Sequence, residues 1–536
     1  MPSILPDRII QRIFPSRPPI SIDDPSGSRA THRPDTFNVL QLLRVRFRDK
    51  RAYVPCLKRR STVWADRRTI DILPDDVLLH LFHFDRLAYL ENADQGRRPS
   101  WTWNRLVHVC RRWRFVVFAS PNFLDLKLVW GPRTRVELTD IWPPLPIIIG
   151  GNVNSFMPHD YDFGASLVHL NRVCEICLRL KYSQLQQLIS AMRVQLPALT
   201  RLTLLAFPGY QTPFPCPALP DEFLGGFAPR LQSLMLESIP LPVLPKFLSS
   251  TTDLIDLHLM DIPYAPYMSP EAIVASLSTL TSLKRLSVGF RSTLSHPTQE
   301  SRHPPPLTRT ILPALTRFEF KGVGEYLEDL LARIDVPLLD YISVAFARFI
   351  PNIPQLAQLM RRPTKFNTRT EAHAVFDSNY GFCVDTHVLT RTLDEKSGLK
   401  ILYRGLYWRL SYLVQFSTFF PSIFLVEHLY IYEAQYLPSQ RDMNVAEWMA
   451  WLSFFRQFTG VKYLYISNVF TPQIAFALQK LVFGRMTEVL PTLQNIFLQR
   501  QPSEPIPEGI GKFVAARQLS GRPISVSLWE GRDDSE

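Results

Sequence analysis

The segment Leu254-Ile-Asp-Leu-His-Leu259 carries a spacing of apolar residues that returns many times along this chain. The same unit recurs as Leu199-Thr-Arg-Leu-Thr-Leu204, Leu231-Gln-Ser-Leu-Met-Leu236, Leu283-Lys-Arg-Leu-Ser-Val288, Leu315-Thr-Arg-Phe-Glu-Phe320, Leu339-Asp-Tyr-Ile-Ser-Val344, Val426-Glu-His-Leu-Tyr-Ile431, Val461-Lys-Tyr-Leu-Tyr-Ile466 and Leu493-Gln-Asn-Ile-Phe-Leu498, with a less regular copy over 170–178. Its last two apolar positions lie two residues apart, as in a strand that buries one face. The repetition therefore predicts one strand per unit.

The units begin about 23 to 35 residues apart, which leaves room for a returning helix between strands. Such helices are predicted over 184–194, 241–249, 269–280, 326–334 and 472–483. We therefore expect an α/β solenoid over 165–536, with a parallel sheet on its concave side and helices on its convex side. A helix over 506–519 and a strand over 524–528 are expected to cap its end. The units over 366–408 are too weak to place their strands.

Ahead of the array, the segment Ile70-Asp-Ile-Leu-Pro-Asp-Asp-Val-Leu-Leu-His-Leu-Phe82 predicts an amphipathic helix. Pro74 suits the first helical position, and Asp75 and Asp76 favour the first turn. A second helix is predicted over 103–118, where apolar residues recur at three- and four-residue steps until Ser120-Pro121 stops it. Periodicity alone would also suit ordinary core packing.

The order of motifs in this region resembles that of the F-box. The residues that carry the resemblance are Leu73-Pro74-Asp75-Asp76-Val77-Leu78-x-x-Leu81-Phe82, then Leu106-Val107-x-Val109-Cys110-Arg111-x-Trp113-Arg114, then Ala119-Ser120-Pro121. The chain is similar to F-box proteins with irregular leucine-rich repeats, a family abundant in mushroom-forming fungi. The resemblance implies a substrate receptor of a cullin–RING ubiquitin ligase, in which an F-box domain over 69–130 docks onto the SKP adaptor.

Under this resemblance one apolar face would be shared between the adaptor and the core of the helical hairpin. Its residues would be Leu73, Pro74, Val77, Leu78, Leu81, Phe82, Val109, Cys110, Trp113 and Val117. Some of those on the second helix must pack inside. A rival interpretation is a repeat scaffold that binds partners without a ligase, with the hairpin as its N-terminal cap.

Residues that flank the core positions of each unit should face the concave surface. In the early units they are mixed in character: Arg201, Thr203, Asp256, His258, Arg285, Arg317, Glu319 and Lys321. In the late units they are mostly aromatic: His428, Tyr430, Tyr432, Tyr463, Tyr465 and Phe497. Clustered aromatic residues are typical of protein-binding hot spots, so we expect this cluster to bind a protein substrate. Alternatively, a C-terminal helix or loop covers it.

The formal net charge is +12, and part of it lies in 44–51 and 58–60. Residues 1–68 are basic and rich in proline, so we expect them to be largely disordered, and 131–164 should link the F-box domain to the repeats. The basic residues could bind nucleic acid, but a solvated linker is the favoured interpretation.

Six cysteines in 536 residues indicate no disulfide framework. The one CxxC, Cys174-Glu-Ile-Cys177, lacks further ligands for a zinc site and is interpreted as part of a strand. No catalytic, cofactor or metal motif is found, so a non-enzyme is expected. Asp7 and Arg8 interrupt any secretion signal, and polar residues interrupt the apolar stretch over 412–431, so we expect an intracellular protein in cytoplasm or nucleus.

Overall fold

The computed structural model of this protein describes residues 73–91, 102–130, 144–150, 169–208, 216–241, 246–263, 268–291, 308–346, 353–360, 371–377, 381–385, 398–403, 414, 426–433, 447–481, 488–499 and 505–529. The chain divides into two units, Met1–Leu73 and Pro74–Glu536. Only Leu73 of the first unit is described, so the fold below is that of the second. The predicted disorder over 1–68, with its basic residues, lies outside the described residues, as does most of the predicted linker over 131–164.

Three helices open the second unit: α1 (Asp75–Glu91), α2 (Thr102–Val107) and α3 (Arg111–Ala119). The first begins directly after Pro74 with Asp75 and Asp76 in its first turn, as the sequence predicts. It continues to Glu91, well beyond Phe82, where the segment predicted from the sequence ends. We call these three helices the helical module.

The prediction of a single second helix over 103–118 is wrong. Cys110 has extended backbone angles (φ −156°, ψ 172°), which end one helical path and start another. Its sulfur accepts a hydrogen bond from the backbone N–H of Trp113 at 3.4 Å, in the manner of an N-cap side chain.

Sixteen of the described strands form one sheet. Their bounds are β1 (Leu128–Trp130), β2 (Ile147–Gly150), β3 (Val173–Lys181), β4 (Arg201–Phe207), β5 (Ser233–Glu237), β6 (Asp256–Ile262), β7 (Arg285–Phe290), β9 (Arg317–Gly322), β11 (Tyr341–Phe346), β12 (Glu371–Asp377), β13 (Gly381–Asp385), β14 (Gly398–Tyr403), β15 (His428–Glu433), β16 (Tyr463–Ile466), β17 (Asn495–Leu498) and β18 (Ser525–Leu528). Two further strands, β8 (Thr310–Ile311) and β10 (Ile334–Asp335), form a separate parallel pair.

Every repeat unit of the sequence contributes a strand. Successive units pair in parallel, except that β12 to β14 lie between the units over 339–344 and 426–431. The second apolar position of each unit aligns across strands, as Leu234, Leu257 and Leu286 do. The third position makes an adjacent column that includes Leu236 and Leu259. These side chains are buried, and each leucine contributes about 1.5–3 kcal/mol to the free energy of folding. The residues between them face the opposite side of the sheet, which we call the open face.

Helices cover the buried face of the sheet. The described ones are α4 (Tyr182–Ala191), α5 (Pro270–Leu277), α6 (Gly324–Arg333), α7 (Pro354–Met360), α8 (Glu447–Phe455), α9 (Thr471–Lys480) and α10 (Glu508–Leu519), and short 3-10 turns lie at Leu170–Arg172, Phe223–Gly226 and Lys246–Ser250. The ring of Tyr326 on α6 lies 4.7 Å from that of Phe290 and 6.1 Å from that of Phe320, both on strands. The predicted helices are thus found, except that 241–249 contains a 3-10 turn.

The three strands that the sequence could not place, β12 to β14, run through the sheet in reverse order. The order across the sheet is β11, β14, β13, β12, β15. Strand β13 is antiparallel to both neighbours, whereas β14 pairs in parallel with β11 and β12 pairs in parallel with β15. The described part of the chain is therefore an α/β fold with a mostly parallel sheet. Among its helices we find none that is long and apolar enough to cross a membrane.

Candidate functional site

The helical module has a small aromatic core. The rings of Phe82 on α1 and Trp113 on α3 lie 4.7 Å apart, and Leu78 and Val117 are fully buried beside them. Arg112 on α3 forms an ion pair with Asp75 on α1 at 2.7 Å. These contacts fix the two helices against each other and determine which face of α1 turns outward.

That outward face of α1 is apolar, too. Val77, Phe84 and Leu87 are all exposed, and His80 lies between them. At about 100° per residue these four positions fall within an arc of about 80°. Phe123, also exposed, extends this surface, because its ring lies 5.5 Å from that of His80. We call Val77, His80, Phe84, Leu87 and Phe123 the α1 stripe.

The structure divides the ten residues predicted to bind an adaptor into three groups. Leu78, Phe82, Trp113 and Val117 are buried in the module core; Leu73, Leu81 and Cys110 are half-buried; Pro74, Val77 and Val109 are exposed. The four buried residues form the part of the shared face that packs in the module core, and Pro74, Val77 and Val109 are its exposed part. The prediction missed Phe84, Leu87, Phe123 and the exposed Phe115 of α3.

A second candidate site lies on the open face, where aromatic rings stack across four neighbouring strands. The strand register places His373, Tyr430, Tyr465 and Phe497 side by side. Their ring centroids are 4.5, 4.2 and 4.5 Å apart in that order, and successive planes differ by 8°, 12° and 9°. This spacing follows the distance between strands, so the backbone itself sets the stack. We call these four residues the aromatic ladder.

Other aromatic residues border the ladder. His428 stacks on Tyr463 at 4.5 Å, and its Nδ1 lies 3.4 Å from the hydroxyl of Tyr465. Tyr432 meets His373 edge to face, with centroids 6.1 Å apart. All six residues predicted for substrate binding therefore lie on one face of the sheet.

Two members of this cluster were missed by sequence reasoning, His373 and Trp529. His373 lies on β12, in the segment whose repeats are too weak to recognise, and it is almost fully buried. Trp529 follows β18, and its ring lies 5.7 Å from that of Tyr465. Burial raises the pKa of Tyr465 above its ordinary value, so this phenol stays protonated.

The other half of the open face is polar and paired. Ser287 donates a hydrogen bond to Glu319 at 3.0 Å and lies 2.9 Å from Nδ1 of His258. Arg285 donates to Asp256 at 2.7 Å. Since the Ser287 proton is directed at a carboxylate and the side chain is buried, this hydroxyl is arranged as a cross-strand bridge between its neighbours.

The CxxC segment lies in β3, as the sequence predicts. The Cys174 thiol donates to the Ile147 carbonyl at 3.4 Å, and Cys177 is buried. Burial raises the pKa of Cys174 to about 11, which keeps it a thiol rather than a metal-binding thiolate. Within the described ranges, no group of three or more His, Cys, Asp or Glu side chains could hold a metal ion.

Comparison with known proteins gives no function for the α1 stripe or the aromatic ladder, so both are interpreted from their geometry. No protein-family model matches this chain, and a search of curated proteins finds no match.

Proposed function

We propose that this chain is a substrate receptor of an SKP–cullin–F-box type ubiquitin ligase. The helical module would be its F-box domain and would dock onto the SKP adaptor. The parallel sheet would be an irregular leucine-rich-repeat solenoid that presents its open face to a protein substrate. Ubiquitin transfer would then take place on partner subunits inside the cell, and this chain itself would be no enzyme and need no cofactor.

The α1 stripe is the observation that carries this proposal. Large apolar side chains left exposed on one helix face commonly mark a protein interaction surface. Large exposed apolar residues also occur elsewhere in the described part of the chain, as at Phe227, Leu338 and Leu519. In the helical module, Val77, Phe84 and Leu87 share one helix face, directly behind the Leu73-Pro74-Asp75-Asp76 start that resembles the F-box.

The aromatic ladder supports the receptor half of the proposal. Tyrosine and tryptophan provide large contact areas at low entropic cost and are enriched in binding hot spots. Here their backbone positions are set by sheet register, so little further ordering is needed when a partner binds. The helical module precedes the sheet in the chain, so one polypeptide can hold two different proteins.

Co-purification with an SKP adaptor tests the proposal. Phe84→Asp places a charge on the α1 stripe at a side chain that is 61% exposed, and Leu338→Asp is a matched control at a side chain that is 59% exposed, far along the chain. We expect the wild type and Leu338→Asp to retain the adaptor, and Phe84→Asp to lose at least about tenfold in affinity. Thermal melting checks that both variants are folded.

Two results would contradict the proposal. One is equal retention of the adaptor by Phe84→Asp and the wild type, which would remove the α1 stripe from the interface. The other is no retention by a well-folded wild type, which would favour a repeat scaffold that works without a ligase.

A further inference from the structure

Trp529 is held against the aromatic ladder by its own backbone. Its N–H donates to the Leu498 carbonyl at 2.9 Å, which continues the register between β17 and β18 by one residue. Side chains alternate along a strand, so Trp529 points to the same face as Ser527, which lies beside Phe497 in the register. The indole then reaches past Phe497 towards the middle of the ladder.

The indole meets the ring of Tyr465 edge to face and that of Tyr430 at a tilt. Its centroid is 5.7 Å from that of Tyr465, with planes 71° apart, and 6.1 Å from that of Tyr430, with planes 59° apart. Tyr430 and Tyr465 stack on each other, so each covers one face of the other. The indole of Trp529 is therefore tilted relative to both rings and is not stacked parallel to them. Edge-to-face contact pairs the positive edge of one ring with the negative face of another.

This geometry determines the chemistry that fits the slot beside Tyr430 and Tyr465. A planar aromatic side chain gains the edge-to-face attraction as well as burial, whereas an aliphatic side chain gains burial alone. Tyr430 and Tyr465 are half-buried, so the slot is accessible once the indole leaves.

We infer that Trp529 occupies the slot into which a bound protein inserts an aromatic side chain, and that it competes with this partner from within the chain. The inference rests on the proposed role of the open face as a partner-binding surface. It adds the kind of residue that the partner supplies and an intramolecular competitor for it. A partner must displace one ring to place its own, so the contact disfavours weak or non-aromatic ligands.

The inference is tested by removing the Trp529 side chain and measuring whether a small aromatic probe then binds in the slot. N-acetyl-tryptophanamide is titrated into the full-length wild type and Trp529→Ala, with saturation-transfer NMR as the measurement of binding. We expect Trp529→Ala to bind the probe at least about tenfold more tightly than the wild type, since two aromatic contacts become free. N-acetyl-leucinamide should bind neither protein measurably.

Three further variants keep the result interpretable. Trp529→Phe keeps a ring in the slot and should resemble the wild type. Leu519→Ala removes an apolar side chain that is 90% exposed and should do the same. Adding Tyr465→Leu to Trp529→Ala should abolish the gained binding. Thermal melting shows whether each variant is folded.

Equal probe binding by the wild type and Trp529→Ala would overturn the inference, as would equal binding of the leucine probe. Probe binding that survives Tyr465→Leu would also overturn it, because the probe would then sit elsewhere. None of these readouts involves the SKP adaptor, so failure of adaptor capture and failure of this inference are separate results.

Discussion

At the scale of single residues, His258 shows how the open face combines burial with charge. Burial lowers the pKa of His258 below its ordinary 6.5, Asp256 and Glu319 oppose that shift, and Arg285 adds to it. The neutral ring is therefore the form that the folded chain prefers. Sequence alternation places His258, Asp256, Arg285 and Glu319 on this face, but the register that joins His258 to Ser287 across strands becomes visible only in the structure.

This preference predicts a loss of stability in mild acid. The unfolded chain binds a proton at His258 near pH 6.5, whereas the folded chain binds it only at lower pH. The stabilising contribution is thus complete above about pH 6.5 and is lost as the pH falls through 6.5 towards the lower folded pKa. Melting temperatures measured from pH 8 to pH 5.5 should fall less steeply in His258→Asn than in the wild type. Parallel curves for the two proteins would contradict this assignment.

At the scale of single elements, helix α1 separates what the sequence predicts from what it leaves open. Its start is predictable, because proline and two aspartates mark a first turn. The face that packs inward is not predictable, because both sides of the helix are apolar. One side carries Leu78 and Phe82, and the other carries Val77 and Phe84. The contact between Phe82 and Trp113 decides between the two faces, and it arises only when the helices pack.

Helix α10 offers a paired test of helix packing. A Cβ added to Gly509 would overlap the backbone carbonyl of Ala475 on α9, whereas a Cβ on Gly511 would meet nothing within 4 Å. Gly509→Ala should therefore force the two helices apart and destabilise the chain by about 1–3 kcal/mol. Gly511→Ala should be neutral or stabilise it by up to about 1 kcal/mol, since alanine is the better helix former.

Thermal or urea unfolding of the two glycine variants measures this difference. The substitutions are chemically identical and lie on the same helix, so effects common to any Gly→Ala change cancel. Equal melting temperatures for Gly509→Ala and Gly511→Ala would contradict the close approach of α9 and α10.

At the scale of the whole molecule, the repeated unit predicts most of the sheet, because each copy carries its own strand and its own two buried positions. The order of β12 to β14 escapes prediction for the converse reason. The reversal depends on pairing between strands that are distant in the sequence. Strand β13 is antiparallel to both neighbours, and no local sequence pattern predicts this. The ladder was predictable in its tyrosines, but not in His373, which lies inside that reversal.

The central claim is that one chain carries two separate binding surfaces, one on the helical module and one on the open face. Multi-angle light scattering of the purified chain mixed with a purified SKP adaptor tests it most directly, because the molar mass reports the complex itself. We predict a one-to-one complex for the wild type and for Tyr430→Ala/Tyr465→Ala, and free chains for Phe84→Asp/Leu87→Asp. A folded wild type that forms no complex, or a complex that survives the α1 changes and is lost with the ladder changes, would contradict the claim.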